Sequence, residues 1–203
     1  MKVEEFFSEG FRLAKPEYWT IIFNCLIYLI VGIVAIFSIV GWLALPSLVA
    51  GFTRFTLRAA RGSEVDVGDS MSWAFKDGMW SKSLVYGLVS TLGILIGFIL
   101  LIIPGLYLIA AWALGWFLLV EERIRPMEAL ARSRELVHEI GFWKVFITII
   151  VLMIGTQLIQ LIPYVGPLLL LFLYPLIVMV YVSIFEHAIK GDTQAIDADF
   201  QEN

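Results

Sequence analysis

Six apolar runs set in three close pairs govern what this chain can become. They cover residues 20–39 and 42–57, 84–103 and 106–120, and 145–162 and 168–185. A membrane helix takes roughly 20 residues, so the first run of each pair is long enough and the second lies near or below the limit. Within each pair the connector is short and built from helix breakers. These are Val40-Gly41-Trp42, Pro104-Gly105 and Pro163-Tyr164-Val165-Gly166-Pro167, which read as tight reversals. The sequence therefore predicts an all-α membrane protein with six transmembrane helices arranged as three helical hairpins, and a kink at Pro46. Composition agrees, since 60% of the 203 residues are apolar and only 16% charged. A soluble core cannot absorb that much apolar surface.

Charge sets the expected topology. All 14 Lys and Arg and all 18 Asp and Glu fall outside the hairpin tips. Positive charge stays on the cytoplasmic side, so both termini and the long connections are expected in the cytoplasm and the tips outside. The expected location is the plasma membrane, with multiple passes. The N-terminus carries Glu4 and Glu5 and no apolar core, so no cleavable signal peptide is read there.

The hairpins read as a pseudo-repeat within a single membrane domain, with units 1–62, 63–125 and 126–190 and a flexible acidic tail at 191–203. Trp19, Trp80 and Trp143 stand at the three hairpin entries, as interfacial anchors. At an offset of 63, Ser70, Gly78, Trp80 and Pro104 meet Ser133, Gly141, Trp143 and Pro167. A short amphipathic helix precedes each hairpin, carried by Val3, Phe6, Phe7 and Gly10 up to Pro16, then by Val67, Met71, Ala74 and Phe75. The third is bounded by Pro126 and Gly141, with Met127, Leu130, Val137 and Ile140 as its stripe. Such helices either lie in the membrane interface or pack beneath the bundle.

No Asp, Glu, Lys or His falls in the middle of a predicted span, which disfavours proton-coupled transport and intramembrane proteolysis. The polar residues inside the spans are Asn24 and Tyr28, and Thr156, Gln157 and Gln160. They read either as the lining of a solute path or as interhelical hydrogen-bonding groups. Small residues at Ser83, Gly87, Thr91, Gly93 and Gly97, and at Ala111 and Gly115, mark close-packing seams. The cytoplasmic loop 121–144 is densest in charge. Arg123, Arg125, Arg132, Arg134 and Lys144 are candidate lipid-headgroup contacts, or else topology anchors. His187 beside Glu186 has no assigned role. No catalytic motif, metal-ligand spacing or cofactor loop is present, so no catalytic residue, metal or cofactor is expected. The net charge of −4 excludes a nucleic-acid footprint.

The stretch from Pro126 to Lys144, with Ala129-Leu130, Ser133 and Gly141-Phe142-Trp143-Lys144, follows the turn Ile103-Pro104-Gly105-Leu106-Tyr107. This pattern resembles a diffuse group of uncharacterised prokaryotic polytopic membrane proteins, which includes the membrane domain of some glycerophosphodiester phosphodiesterases. The resemblance covers residues 100–145 and carries no catalytic residue. It implies a membrane module connected with lipids. The expected function is thus a non-enzymatic membrane module binding lipid, itself or another membrane protein at the cytoplasmic face. The alternative is a transporter or channel for an uncharged or amphiphilic solute. An enzyme acting on lipid at that face is the third reading.

Overall fold

The computed structural model describes residues 3–14, 18–36, 39–63, 66–163 and 165–202. It is 87% helix, with no strand among the described residues. The helices are α1 (Val3–Ala14), α2 (Tyr18–Ile36), α3 (Ile39–Ala60), α4 (Val67–Trp73), α5 (Met79–Leu100), α6 (Ile102–Ala111), α7 (Gly115–Glu121), α8 (Pro126–Glu139), α9 (Phe142–Gln160) and α10 (Val165–Glu202). Four stretches are long and apolar enough to cross a membrane: Met79–Leu100, Ile102–Glu121, Phe142–Gln160 and Val165–Gly191. They are the two arms of the second and third expected hairpins. In the first, α1 and α2 pass the same test only as a pair bent by 90°. The chain is an all-helical protein with the helices of a membrane protein.

Most of the breakers do not connect the arms, contrary to the sequence expectation; of those expected at the third tip, Pro163 does lie in the turn between α9 and α10. The α5–α6 connection is one extended residue, Leu101 (φ −168°), and Pro104 and Gly105 lie in the first turn of α6. Likewise Gly41 follows the start of α3, and Gly166 and Pro167 sit in the first turn of α10. Helix geometry explains this: the first-turn N–H groups have no intrahelical partner, so proline there loses nothing and its fixed φ suits the helix. Each returning arm is lengthened. The second reaches 20 residues, from Ile102 to Glu121, or about 30 Å. Pro16 and Tyr164, expected at the first helix end and the third tip, lie outside the described residues.

Burial is unequal along the hairpins. The fully buried large side chains include Phe6, Phe55, Leu57, Leu114, Leu118, Leu119, Leu136, Ile184 and Phe185. They come from α1, α8, α7 and the charged ends of α3 and α10. Towards the tips the arms expose apolar surface instead, with Ile99 at 74%, Ile103 at 76% and Leu161 at 75%. Such a surface suits hydrocarbon rather than water.

The short helices pack on the bundle. A Cβ on Gly10 of α1 would stand 2.8 Å from the Val180 backbone of α10, and Ser183 donates to the Phe6 carbonyl at 3.2 Å. Helix α4 folds back along α3, with the Ser70 carbonyl 2.9 Å from where a Gly51 Cβ would be. That return brings Trp80 beside the start of α3, where its Nε1 donates to the Leu43 carbonyl at 3.1 Å. Helix α8 covers a break in the second hairpin at residues 112–114. The break takes Gly115 N–H to the Trp112 carbonyl instead of that of Ala111. The freed Ala111 carbonyl accepts from buried Ser133 Oγ at 2.8 Å. Gly141, at φ +104°, then turns the chain into α9, a conformation a side chain rarely adopts. Helix α10 continues to Glu202.

Candidate functional site

Where α3 and α7 end, beside the middle of α10, the chain collects its charge. Arg61 donates to Glu121 at 2.6 Å and to Glu186 at 2.8 Å, tying the ends of α3 and α7 to α10 at one level. Burial acts against the Arg61 charge, but the hydrogen bonds and proximity of the two carboxylates outweigh it and raise its pKa above the usual arginine value. The guanidinium charge is thus offset by two carboxylates.

The five basic residues of the 121–144 loop do not converge on one point. Arg123 sits in the left-handed region at φ +53° and reaches Asp77 at 3.8 Å. Arg132 pairs with Glu122 at 3.3 Å, and Arg125 with Glu128 at 3.8 Å on a highly exposed surface. Arg134 and Lys144 are exposed. Exposed pairs of this kind stabilise by roughly 0–1 kcal/mol, so the loop mainly presents a basic field. Of the three tryptophans, Trp19 and Trp143 are 73% and 69% exposed, as interfacial side chains would be, whereas Trp80 is partly covered by its bond to Leu43.

A second basic cluster forms at the charged end of α3, where the sequence sets Arg54, Arg58 and Arg61 on one helix face able to snorkel to the membrane surface. Arg54 lies with its guanidinium 4.6 Å from the ring centre of Trp73, and that of Arg123 lies 5.5 Å from the same ring. Trp73 itself is buried. Arg54 and Arg58 share one carboxylate, Asp69, at 3.8 and 3.4 Å. The sequence signal was the spacing Arg54, Arg58, Arg61 on one helix. Nothing in it revealed that α4 folds back to bring Trp73 and Asp69 against them.

The polar residues of the spans are scattered. Tyr28 and Gln160 line one cavity of about 540 Å³ with Cys25, Leu48, Phe52 and Tyr174, between α2, α3, α9 and α10. Its rim residues Leu29, Val49 and Tyr174 are exposed, so it opens on the apolar flank of the bundle. Thr156 lines a different cavity of about 380 Å³ against α1 and α10, and its hydroxyl donates to the Met153 carbonyl at 2.8 Å. Asn24 is buried, with its amide on the Thr20 carbonyl at 2.8 Å, and Gln157 is exposed. Cavities of 300–1,000 Å³ with mostly apolar walls and a few polar groups are the usual form of a small-molecule site. No protein family, curated protein or solved structure matches the chain.

Proposed function

We propose that this protein is a non-enzymatic membrane module that binds membrane lipid, with its headgroup side on the charged, cytoplasmic face. One observation carries the reading. Helix α3 lines the 540 Å³ apolar cavity with Leu48, Val49 and Phe52 and, two residues further on, begins a run of arginines at Arg54 and Arg58. An apolar slot on one face of α3, with fixed cations at a similar height on another face turned to α4, suits a protein that sits among amphiphiles with anionic heads. Scattered polar groups give less support to the alternative of a solute path.

The topology proposed with it takes the second and third hairpins across the plasma membrane with both termini cytoplasmic and the three units as a pseudo-repeat. Helix α3 of the first hairpin does not cross in the same way, because Trp80 at the entry of the second hairpin bonds Leu43 beside the first tip. Support comes from the exclusion of Lys and Arg from the tips and from α1 packing on the Val180–His187 part of α10, which puts the first helix beside the charged stretch of the last.

Native mass spectrometry of the detergent-purified protein tests the function. Phosphatidylglycerol should be retained over phosphatidylcholine, and Leu29→Trp, which fills the cavity mouth, should reduce the number of lipids held. Neutralising Arg125, Arg132 and Arg134 together should lower the anionic preference, at about fivefold per basic residue. Equal retention of both lipids, unchanged by Leu29→Trp, would overturn the reading; solute flux into liposomes would then favour transport.

A further inference from the structure

Two guanidinium groups, of Arg54 and Arg123, lie over one buried indole, a third, of Arg58, shares a carboxylate with Arg54, and their donors outnumber the acceptors that the described residues supply to them. Arg54 and Arg58 hold the single carboxylate of Asp69 only at 3.8 and 3.4 Å, longer than the 2.7–2.9 Å of a good charge-assisted bond. Arg54 Nη1 is buried without a hydrogen-bond partner. Arg123 reaches Asp77 at 3.8 Å, and that carboxylate is 73% exposed. Lys82 adds a further cation, bonded through Nζ to the Arg123 carbonyl. Among the described residues, these four cations are thus gathered beside two carboxylates, Asp69 and Asp77. The contrast lies on the same helix: Arg61 is satisfied by two carboxylates at 2.6 and 2.8 Å.

Self-repulsion between Arg54, Arg58 and Arg123 is unfavourable, and a buried guanidinium donor without an acceptor costs free energy. The arrangement is nonetheless held firmly. Trp73 supplies its ring to both Arg54 and Arg123, an attraction that fixes the plane of each guanidinium. Arg123 and Asp77 both occupy the left-handed region, at φ +53° and +54°, where non-glycine residues persist only under constraint from their surroundings. Phe75, 48% exposed, lies two residues from Trp73 and two from Asp77.

We propose that Arg54, Arg58 and Arg123, positioned by Trp73, form a phosphate-binding site that accepts the oxygens of a phosphate mono- or diester. The planar forks of arginine match phosphate oxygens in pairs, and three of them absorb the charge that Asp69 and Asp77 leave uncompensated. The site deepens the lipid reading proposed above and rests on it for the source of the phosphate. The chemistry is shared by a phospholipid headgroup and a free phosphate, and the experiment separates the two.

Retention of phosphatidylglycerol and of phosphatidylcholine is measured by native mass spectrometry for wild type, Arg54→Gln/Arg123→Gln, Arg54→Lys and Arg125→Gln/Arg132→Gln/Arg134→Gln. Each is measured at low salt and at about 1 M salt, where the screening length falls to about 3 Å. In parallel, thermal stability in detergent is read with and without inorganic phosphate. At low salt the double variant should hold phosphatidylglycerol about twenty-five-fold less tightly, from about fivefold per residue, with a smaller loss for phosphatidylcholine, whose phosphodiester is offset by its own choline cation. Its effect should survive high salt, whereas that of the loop triple variant should fade. Arg54→Lys, which keeps the charge and is expected to fold, should show a smaller loss of several-fold because the fork is gone. Stabilisation of wild type by inorganic phosphate, lost in the double variant, without lipid preference, would identify a free phosphate as the ligand and overturn only the lipid reading. Lipid preference lost in the triple variant but intact in the double and in Arg54→Lys would overturn the site and leave the lipid reading standing. Indifference of wild type to both lipid and phosphate would overturn both.

Discussion

Ser133 donates to a carbonyl that the break at residues 112–114 has set free. Ser133→Ala should therefore leave the Ala111 carbonyl buried and unpaired, at a cost of about 1–3 kcal/mol. Ser72→Ala, on an exposed hydroxyl, should cost well under that; thermal unfolding in detergent compares the two. At Arg61 the pKa lies above its ordinary value, so the charge contributes stability throughout the range below the unfolded arginine value and is lost only as pH rises through the folded one. Alkaline titration to pH 10 should thus leave the contribution of Arg61 unchanged. Arg61→Gln should lower the melting temperature by a similar amount at pH 7 and pH 10, and a pH-dependent difference would place the cause elsewhere. Little of this residue-level detail was legible in the sequence. Ser133 was visible as a match to Ser70 in a repeat, but its acceptor exists only because a helix breaks 22 residues earlier. Arg61, Glu121 and Glu186 are 60 and 65 residues apart along the chain, and no local pattern pairs them.

The two arms of the second hairpin touch through glycine. A Cβ on Gly97 would lie 3.0 Å from the Gly105 backbone, and one on Gly105 would lie 2.6 Å from the Phe98 ring. Gly97→Ala should therefore destabilise, by about 1–3 kcal/mol for overpacking. Gly155→Ala on α9, where nothing lies within 4 Å of the added carbon, should stabilise by about 0.5–1 kcal/mol. Urea or thermal unfolding in the same detergent reads both signs, and matching losses would contradict the packing seen at Gly97. The Gly93/Gly97 seam was legible because small residues at a spacing of four mark one helix face. Helix starts were misjudged for an equally physical reason. Proline and glycine break a helix interior but are welcome in its first turn, so Pro104-Gly105 opens an arm that it was expected to precede. The end of α8 was legible, since Gly141 takes a backbone conformation few other residues accept.

At the level of the whole molecule, the proposed orientation makes a direct prediction. In a Cys25→Ser background, cysteines at Ile103 and Leu161, both highly exposed tip positions, should react with an impermeant reagent added outside sealed cells. One at exposed Glu135 on α8 should react only after permeabilisation. Labelling of Glu135→Cys in sealed cells would invert the topology. The layout of apolar runs was legible because a bilayer imposes its thickness on every crossing segment. The packing of α1, α4 and α8 was not, since an amphipathic stripe suits a membrane surface and a bundle flank equally well. The contact between α1 and α10 also governs how the molecule is made. Phe6 and Ser183 are 177 residues apart, and at about 5–20 residues per second their meeting waits on the order of ten to thirty seconds of synthesis. Through that interval Phe6 has no core to enter. Closure of the fold therefore waits for α10 to emerge, and a chain stalled before α10 leaves its first helix searching for a place to bury itself.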